Sequence, residues 1–319
     1  MKHIVCMGEL LIDFIPNEKG LKLKDVTGFT KYPGGAPANV CVAAKKSGVN
    51  AYFLGQVGAD AFGDFLIDTL KNEQIDTGFI QQTEKAKTAL AYVSLTKEGE
   101  RDFMFYRDPS ADQLFKSSQV PTNILKSSIF HFCSVSLCPY PIKNAHLKAI
   151  QYTKKHNGFV SFDPNLRLSL WRDHEAYKKV INEFIPLSDL LKISNDELEF
   201  ITGEASPEKA LSKLFIGDVK YIIITSGKDG SALYFKDLSC IKVGGFKVTP
   251  IDTTGAGDVF IGSFLAEMAK KDLSFDHESV KEALKTANAK AALTTTKYGG
   301  ISAIPSEADY LSFIQSQSK

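Results

Sequence analysis

The sequence predicts an α/β fold: a mostly parallel central sheet with helices on both faces, plus a small β-sheet lid set apart from it. Three features carry this expectation. Short apolar runs recur along the chain and end in polar or glycine-rich loops, as buried parallel strands do. Stretches with apolar residues at helical spacing lie between them, and strand-helix-strand alternation implies right-handed crossovers. Two segments, at about 11–33 and 88–110, break that alternation.

The strand candidates, in order, are Ile4 to Met7, Tyr52 to Val57, Ile129 to Cys133, Val160 to Phe162, Leu190 to Ile193 and Tyr221 to Thr225. A first helix is expected from Pro37 to Ser47, closed by Gly48, and a second from Phe62 to Asn72, where Phe62, Phe65, Leu66 and Leu70 share a face. The run Thr88 to Leu95 and the run Arg101 to Tyr106 flank Lys97-Glu98-Gly99-Glu100, a strong hairpin signal. Hairpins that interrupt an α/β chain form a small separate sheet more often than they extend the main one, so this segment reads as a lid. Late helices are expected over Val259 to Met268 and Lys281 to Leu293. At ~150 residues per domain, the 319 residues are read as one domain, 1–319, carrying the two lid segments.

Composition excludes several classes of function. The 38 Lys and Arg against 37 Asp and Glu give a formal net charge of +1, far from the basic excess of a nucleic-acid binder. No apolar run approaches the ~20 residues needed to cross a bilayer, and Glu9 interrupts the first apolar stretch too early for a secretory segment. A soluble cytoplasmic protein with neither nucleic-acid nor membrane partners is expected. The five cysteines, Cys6, Cys41, Cys133, Cys138 and Cys240, show no CxxC spacing and read as buried reduced thiols.

Ligands of open α/β sheets bind outside the carboxyl ends of the strands, so the residues that follow each apolar run matter most. They include Asp13; Gly34, Gly35 and Asn39; Asp163-Pro164-Asn165-Leu166-Arg167; Ser194-Asn195-Asp196-Glu197; Thr225 to Gly230; and Asp252-Thr253-Thr254-Gly255-Ala256-Gly257-Asp258. The last segment starts a helix whose first amides have no partner within it and would gather phosphate oxygens. Asp258 at that terminus stands where a base or orienting group would meet an attacking hydroxyl; read alone, it is equally a helix cap. Gly227-Lys228 is followed by Asp229, and GxGxxG fails at Phe260, so neither a P-loop nor a Rossmann fingerprint is present.

Two signatures, Tyr32-Pro33-Gly34-Gly35-Ala36-Pro37-Ala38-Asn39-Val40 and Asp252 to Asp258, occur in order about 220 residues apart. In them the chain resembles the ribokinase-like, or PfkB, carbohydrate kinases from His3 to about Pro305. The resemblance implies a ribokinase-like fold and phosphoryl transfer from ATP to a sugar hydroxyl. Asp258 would be the base, with the amides of Gly255, Ala256 and Gly257 as an anion hole and Arg167 on the substrate or transferring phosphate. Asp13, Gly34, Gly35 and Asn39 would hold the sugar. Ser194, Thr225, Gly227, Gly230 and Asn288 would line the nucleotide, although Lys228-Asp229-Gly230 also reads as a plain hairpin turn. Glu197 would hold Mg²⁺ through water; where ribokinases carry Asn-x-x-Glu this chain has Ser194-Asn195-Asp196-Glu197. The loop 296–302 with Asp252 and Thr254 resembles the K⁺ site of some members.

Within the family the lid run Arg101 to Asp112 and the Gly35-Ala36-Pro37-Ala38-Asn39 segment resemble the fructokinase form. Strand alternation places Phe103, Phe105 and Arg107 on one face, an aromatic wall with a cationic end over the sugar. D-fructose is the expected acceptor at a terminal hydroxyl, the 6-hydroxyl by resemblance, with O1 left open by the residues. A 2-keto-3-deoxygluconate kinase is the nearest alternative, a nucleoside kinase a weaker one, and a catalytically dead sugar sensor the non-enzyme reading. The chain is expected to act as a monomer or homodimer.

Overall fold

The computed structural model describes residues 1–18, 20–95, 101–171 and 173–317, with the side chains of residues 94, 95 and 101–103 excluded. Its strands are β1 (Ile4–Met7), β2 (Leu11–Pro16), β3 (Phe29–Gly34), β4 (Ala51–Gly58), β5 (Ile80–Thr83), β6 (Leu90–Leu95), β7 (Arg101–Tyr106), β8 (Ile129–Cys133), β9 (Phe159–Asp163), β10 (Leu190–Ser194), β11 (Tyr221–Thr225), β12 (Ser231–Phe235) and β13 (Cys240–Val243). The helices are α1 (Ala36–Lys46), α2 (Ala61–Asn72), α3 (Pro141–Lys155), α4 (His174–Phe184), α5 (Leu198–Thr202), α6 (Pro207–Leu214), α7 (Ala256–Lys270), α8 (His277–Thr294) and α9 (Glu307–Gln317).

Nine strands form the main sheet in the order β13-β12-β11-β10-β9-β8-β1-β4-β5. Seven of them, β11 through β5 in that row, run parallel, and the β12 and β13 edge is antiparallel. Alternation along each strand divides the core. Ile4, Cys6, Leu190 and Ile223 pack under α1, α2, α7 and α8; Val5, Met7, Leu191 and Ile222 pack under α3 to α6. Both faces are therefore covered, which is why these strands read as unbroken apolar runs.

The two interrupting segments build a second sheet, in the order β3-β2-β6-β7. Two antiparallel pairs, β2 with β3 and β6 with β7, join through a parallel β2–β6 ladder. Phe14 on its outer face stacks on Tyr92 at 4.8 Å and meets Phe62 of α2 edge-on at 5.8 Å. That aromatic seam fixes one face against α2 and leaves Leu11, Asp13 and Ile15, two residues apart, on the other. All five cysteines are free, but Cys240 is exposed. It sits on β13, the end strand of the main sheet, where one side has no strand neighbour among the described residues.

Candidate active site

A cavity of about 560 Å³ opens between the inner face of the small sheet and the carboxyl end of the main one. Its walls include Glu9, Asp13, Tyr32, Gly35, Asn39, Phe105, Asn165, Arg167, Asp252, Thr254, Gly255 and Asp258. The parity of β2 explains the first wall, since Leu11, Asp13 and Ile15 all face inward.

Helix starts decide the second wall. Asp60 caps α2 by accepting from the amides of Phe62 and Gly63, and Asp276 caps α8 through the amide of Ser279. By contrast, α7 begins at Gly255, φ 77°, with no capping side chain. Its first-turn amides lack an intrahelical partner, and the dipole puts positive potential there. The amide of Ala256 leans back toward the carbonyl of Thr253 at 3.4 Å, leaving Gly257 and Asp258 to head the helix.

Asp258 is 4% exposed. Its Oδ2 accepts from Asn39 Nδ2 and its Oδ1 from Asn165 Nδ2, both at 2.8 Å. Each oxygen keeps a second lone pair for a hydroxyl proton. Burial lifts its pKa above the ordinary carboxylate value, while the Asn39 amide, Arg167, Lys192 and Asn165 pull against that rise. Asn39 Oδ1 is buried without a hydrogen-bond partner, against the loop at Gly300. Asn165 reaches its place through a left-handed backbone, φ 45°, and its amide closes a turn on Asp163 Oδ1 at 3.1 Å.

Asp13 is pushed up to about 7, first by burial and then by Asp258, Asp252 and Glu9, against the pull of Arg167. Gly34 serves Asp13 rather than the cavity. A Cβ there would come within 2.1 Å of Asp13 Oδ2, so the glycine makes room for the carboxylate, and the expected close approach of backbone to ligand falls to Gly35 alone among the pair. Gly35 lines the cavity, holds φ 111°, and would drive a Cβ to 2.4 Å from the carbonyl of Glu9.

Arg107 departs from expectation. It lies past the end of β7, 8% exposed, outside the cavity lining. Its guanidinium pairs with Asp112 and donates to the carbonyl of Val135 at 3.0 Å and to Ser136 Oγ at 3.3 Å. A buried guanidinium needs such partners, so it anchors the base of the hairpin instead of capping the aromatic wall. Phe105 does face the cavity. Phe103 pairs with Val93 across the ladder, and its side chain lies outside the described residues.

The remaining candidates follow the sheet outward. Ser194 opens the turn that contains Glu197, whose Oε2 accepts from the Ser194 amide at 2.8 Å and whose Oε1 accepts from the Leu166 amide at 2.6 Å. Ser194 pairs with Thr225 on β11. Gly227 opens on free space, whereas a Cβ on Gly230 would strike the carbonyl of Val243 at 2.1 Å. Asn288 donates to the carbonyls of Val243 and Gly244 at 3.2 and 3.3 Å, so it closes on that same loop. Because β9, β10 and β11 are neighbours in the sheet, Arg167, Glu197 and Thr225 form a track leading away from the cavity. Asp252 Oδ1 accepts from the amide and hydroxyl of Thr254, and its Oδ2 from the Gly299 amide at 3.1 Å. Its carboxylate thus ties the loop before α7 to the loop after α8.

The family model for pfkB family carbohydrate kinases matches residues 1–307. The chain belongs to the PfkB family of carbohydrate kinases. It is 42% identical over 319 residues to probable fructokinase-5 of Arabidopsis thaliana, covering 99% of this chain and 98% of that protein. Among solved structures, a fructokinase with bound ATP from Xylella fastidiosa superposes with a TM-score of 0.90 at 33% identity, covering 99% of both chains. A double mutant of the fructokinase from Vibrio cholerae O395, in a form with fructose, ADP and potassium ion bound, gives 0.89 at 34% identity over 98% of both. The ribokinase-like architecture expected from the two signatures is the one these PfkB structures share, and the chain is an ATP-dependent carbohydrate kinase.

Glu9 and Tyr32 line the site without having a role assigned from sequence, and Asn165 stands in a candidate loop whose expected contact was Arg167. Glu9 follows β1 directly, which is itself a signal. Its Oε2 accepts from Ser136 Oγ at 2.6 Å and its Oε1 from the Ala36 amide at 3.3 Å.

Proposed function

We propose that this PfkB kinase transfers the γ-phosphoryl group of ATP to the 6-hydroxyl of D-fructose. One observation carries it: Asp258, gripped by Asn39 and Asn165 at the uncapped start of α7, shares a cavity with Asp13. The sugar hydroxyl would meet Asp258 as base, and phosphoryl oxygens would meet the amides of Gly255 and Gly257, with that of Ala256 joining them once it gives up its long contact to Thr253. Phosphoryl transfer asks mainly for positioning and charge stabilisation, and helix amides fixed in place supply both. Asp13 and Asn39 would accept from other hydroxyls beneath Phe105, with Arg167 beside the reacting groups. The nucleotide would lie along Ser194, Thr225, Gly227, Gly230 and Asn288.

Mg²⁺ fits this arrangement as a companion of ATP. No cluster of three His, Cys, Asp or Glu among the described residues forms a metal cage, and Mg²⁺ commonly binds through phosphates, waters and one or two carboxylates. Glu197 has a lone pair left on each oxygen for such a water. Asp252 and Thr254, with their side chains engaged on one another, leave carbonyl oxygens as the groups for K⁺. The free cysteines suit a reducing compartment such as the cytoplasm.

The nearest alternative, an acidic sugar such as 2-keto-3-deoxygluconate, is disfavoured by charge. Glu9, Asp13, Asp252 and Asp258 line the cavity against Arg167 alone among the cations of its described lining, and the guanidinium of Arg107 is bound to Asp112. A coupled ADP-release screen over fructose, ribose, tagatose, adenosine and 2-keto-3-deoxygluconate tests this. Fructose should give the highest kcat/KM, and its product should be converted by phosphoglucose isomerase, which requires the 6-phosphate. A higher value for 2-keto-3-deoxygluconate would overturn the substrate while leaving the kinase; no ATP turnover with any sugar would favour a sensor.

The small sheet is proposed as a lid. Hydrogen exchange in residues 88–95 and 101–107 should slow when sugar and a non-hydrolysable ATP analogue are both bound, as closure over a dry site requires. Unchanged exchange would leave these strands as fixed walls.

A further inference from the structure

Lys192 is a lysine inside an apolar strand. Its neighbours in β10 are Leu190, Leu191 and Ile193, all fully buried, and its own side chain is 5% exposed. Burying an ammonium is costly unless it is paired, and Asp163 Oδ2 meets it at 2.9 Å. Stability alone does not account for the pair, because replacing a buried ion pair by well-packed apolar side chains is often neutral or stabilising. Something else favours a charge at this place.

The place is the first turn of α7. Gly257 is helical and has no positive φ that would call for glycine. A Cβ there would stand 3.2 Å from Lys192 Nζ, so the missing side chain gives the ammonium its seat against the helix start. Asp163, the other half of the pair, ends β9 and closes the turn that presents Asn165 to Asp258. One ammonium thus touches both the helix that heads the anion site and the loop that grips the base.

We propose that Lys192 is a positioning residue for phosphoryl transfer, placing a fixed positive charge behind the α7 amides and beside Asp258; this rests on Asp258 being the base. The charged groups around Asp258 are Asp13 from β2, Asp163 and Arg167 from β9 and its loop, and Lys192 from β10, with the Cys133 thiol at the end of β8. Burial works against the charge on Lys192, but Asp163, Glu197 and Asp258 more than offset it and hold its pKa above the ordinary lysine value. It therefore stays cationic through the working pH range, and favours the ionised form of Asp258.

The test measures kcat against pH at saturating sugar and ATP for Lys192→Met, Lys192→Arg and Asp163→Asn, alongside thermal unfolding. Lys192→Met should lower kcat at neutral pH by at least ~10-fold, change KM for sugar by less, and move the acid limb to higher pH. Burial lifts the Asp163 pKa to about 7 against the pull of Lys192, so where it is ionised Asp163→Asn removes a neighbouring negative charge and should move the limb to lower pH. Lys192→Arg should return the limb to the wild-type position. A merely structural ion pair predicts that breaking it from either side has the same effect, so displacement in one direction by both variants, or in neither, overturns the proposal. If Lys192→Met does not fold, Lys192→Gln, which keeps a polar end without the charge, still decides: a limb that stays or falls is the overturning result. Near-normal turnover in Asp258→Asn would instead remove the base on which the proposal stands, whatever Lys192 does.

Discussion

Asp258→Asn should lower kcat by at least ~100-fold while ATP and fructose bind within several-fold of wild type. The substitution keeps the shape of the side chain and removes its ability to take a proton. It also creates a conflict. Asn39 and Asn165 each aim an NH₂ at one carboxylate oxygen, and an amide presents one acceptor and one donor, so one of the two contacts must open. The loss should nonetheless appear in kcat, because Asp13, the other proposed partner of the sugar on the cavity wall, is untouched. Folding should not suffer at neutral pH: burial already raises Asp258 above its ordinary pKa, and a neutral group there has no charge to desolvate. Steady-state kinetics with calorimetric binding and a melting curve check all three. Turnover near wild type would remove Asp258 from the role of base.

How much of this was legible in the sequence depends on what kind of signal each part leaves. Buried parallel strands are apolar on both faces, so β1, β8 and β11 stand out as runs with nearly the same ends in sequence and structure. The antiparallel edge is less visible, because Cys240 to Val243 alternates in burial and carries Lys242 outward. Residues that follow main-sheet strands were legible for the same topological reason, whereas Asp13, read as following an apolar run, and Phe105 lie inside β2 and β7. Asp13, Gly35, Asn39, Phe105, Arg167, Asp252, Thr254, Gly255 and Asp258 do meet around one cavity. What escaped was anything decided by side-chain reach. Arg107 has the right parity for the wall, but five residues on, Asp112 takes its guanidinium. Gly34 looks like a place for a ligand and is a place for Asp13. Lys192 was hidden because a rule that inspects loops passes over a charge in the middle of a strand.

The same structure explains why the site sits at odds with its own stability. Asp163 and Asp258 are buried, and Asp13 stands half-buried near them, with Arg167 and Lys192 as the opposing charges. Each carboxyl is held where bulk water would solvate it better. Such an arrangement persists only because the surrounding helices and ladders over-determine it, and a ligand rich in hydroxyl donors relieves part of the cost.

Asp13→Ala should raise the KM for fructose by at least ~100-fold, since the two hydrogen bonds its oxygens would accept are each worth roughly 1.5–3 kcal/mol, and should flatten selectivity among ketoses. Its effect on stability should have the opposite sign. The Asp13 pKa rises from 3.8 to about 7 in the folded chain, so between those values the folded protein keeps a proton that the unfolded chain has released. The stability linked to this group is therefore full below pH 3.8, declines as pH rises, and is lost above about 7. At about 1.4 kcal/mol per unit the burden carried at pH 8 is on the order of 4 kcal/mol, an upper bound because solvent reaches part of the side chain and screens it. Asp13→Asn, which keeps the volume without the charge, should melt higher than wild type at pH 8 and converge with it toward pH 4. Fructose binding ties in through the same proton. Hydroxyl donors prefer the carboxylate, so wild-type affinity should weaken as pH falls below about 7, while Asp13→Ala should lose this dependence. Parallel melting curves across that range, or a KM that Asp13→Ala leaves unchanged, would show that this carboxyl neither carries the buried charge nor grips the sugar.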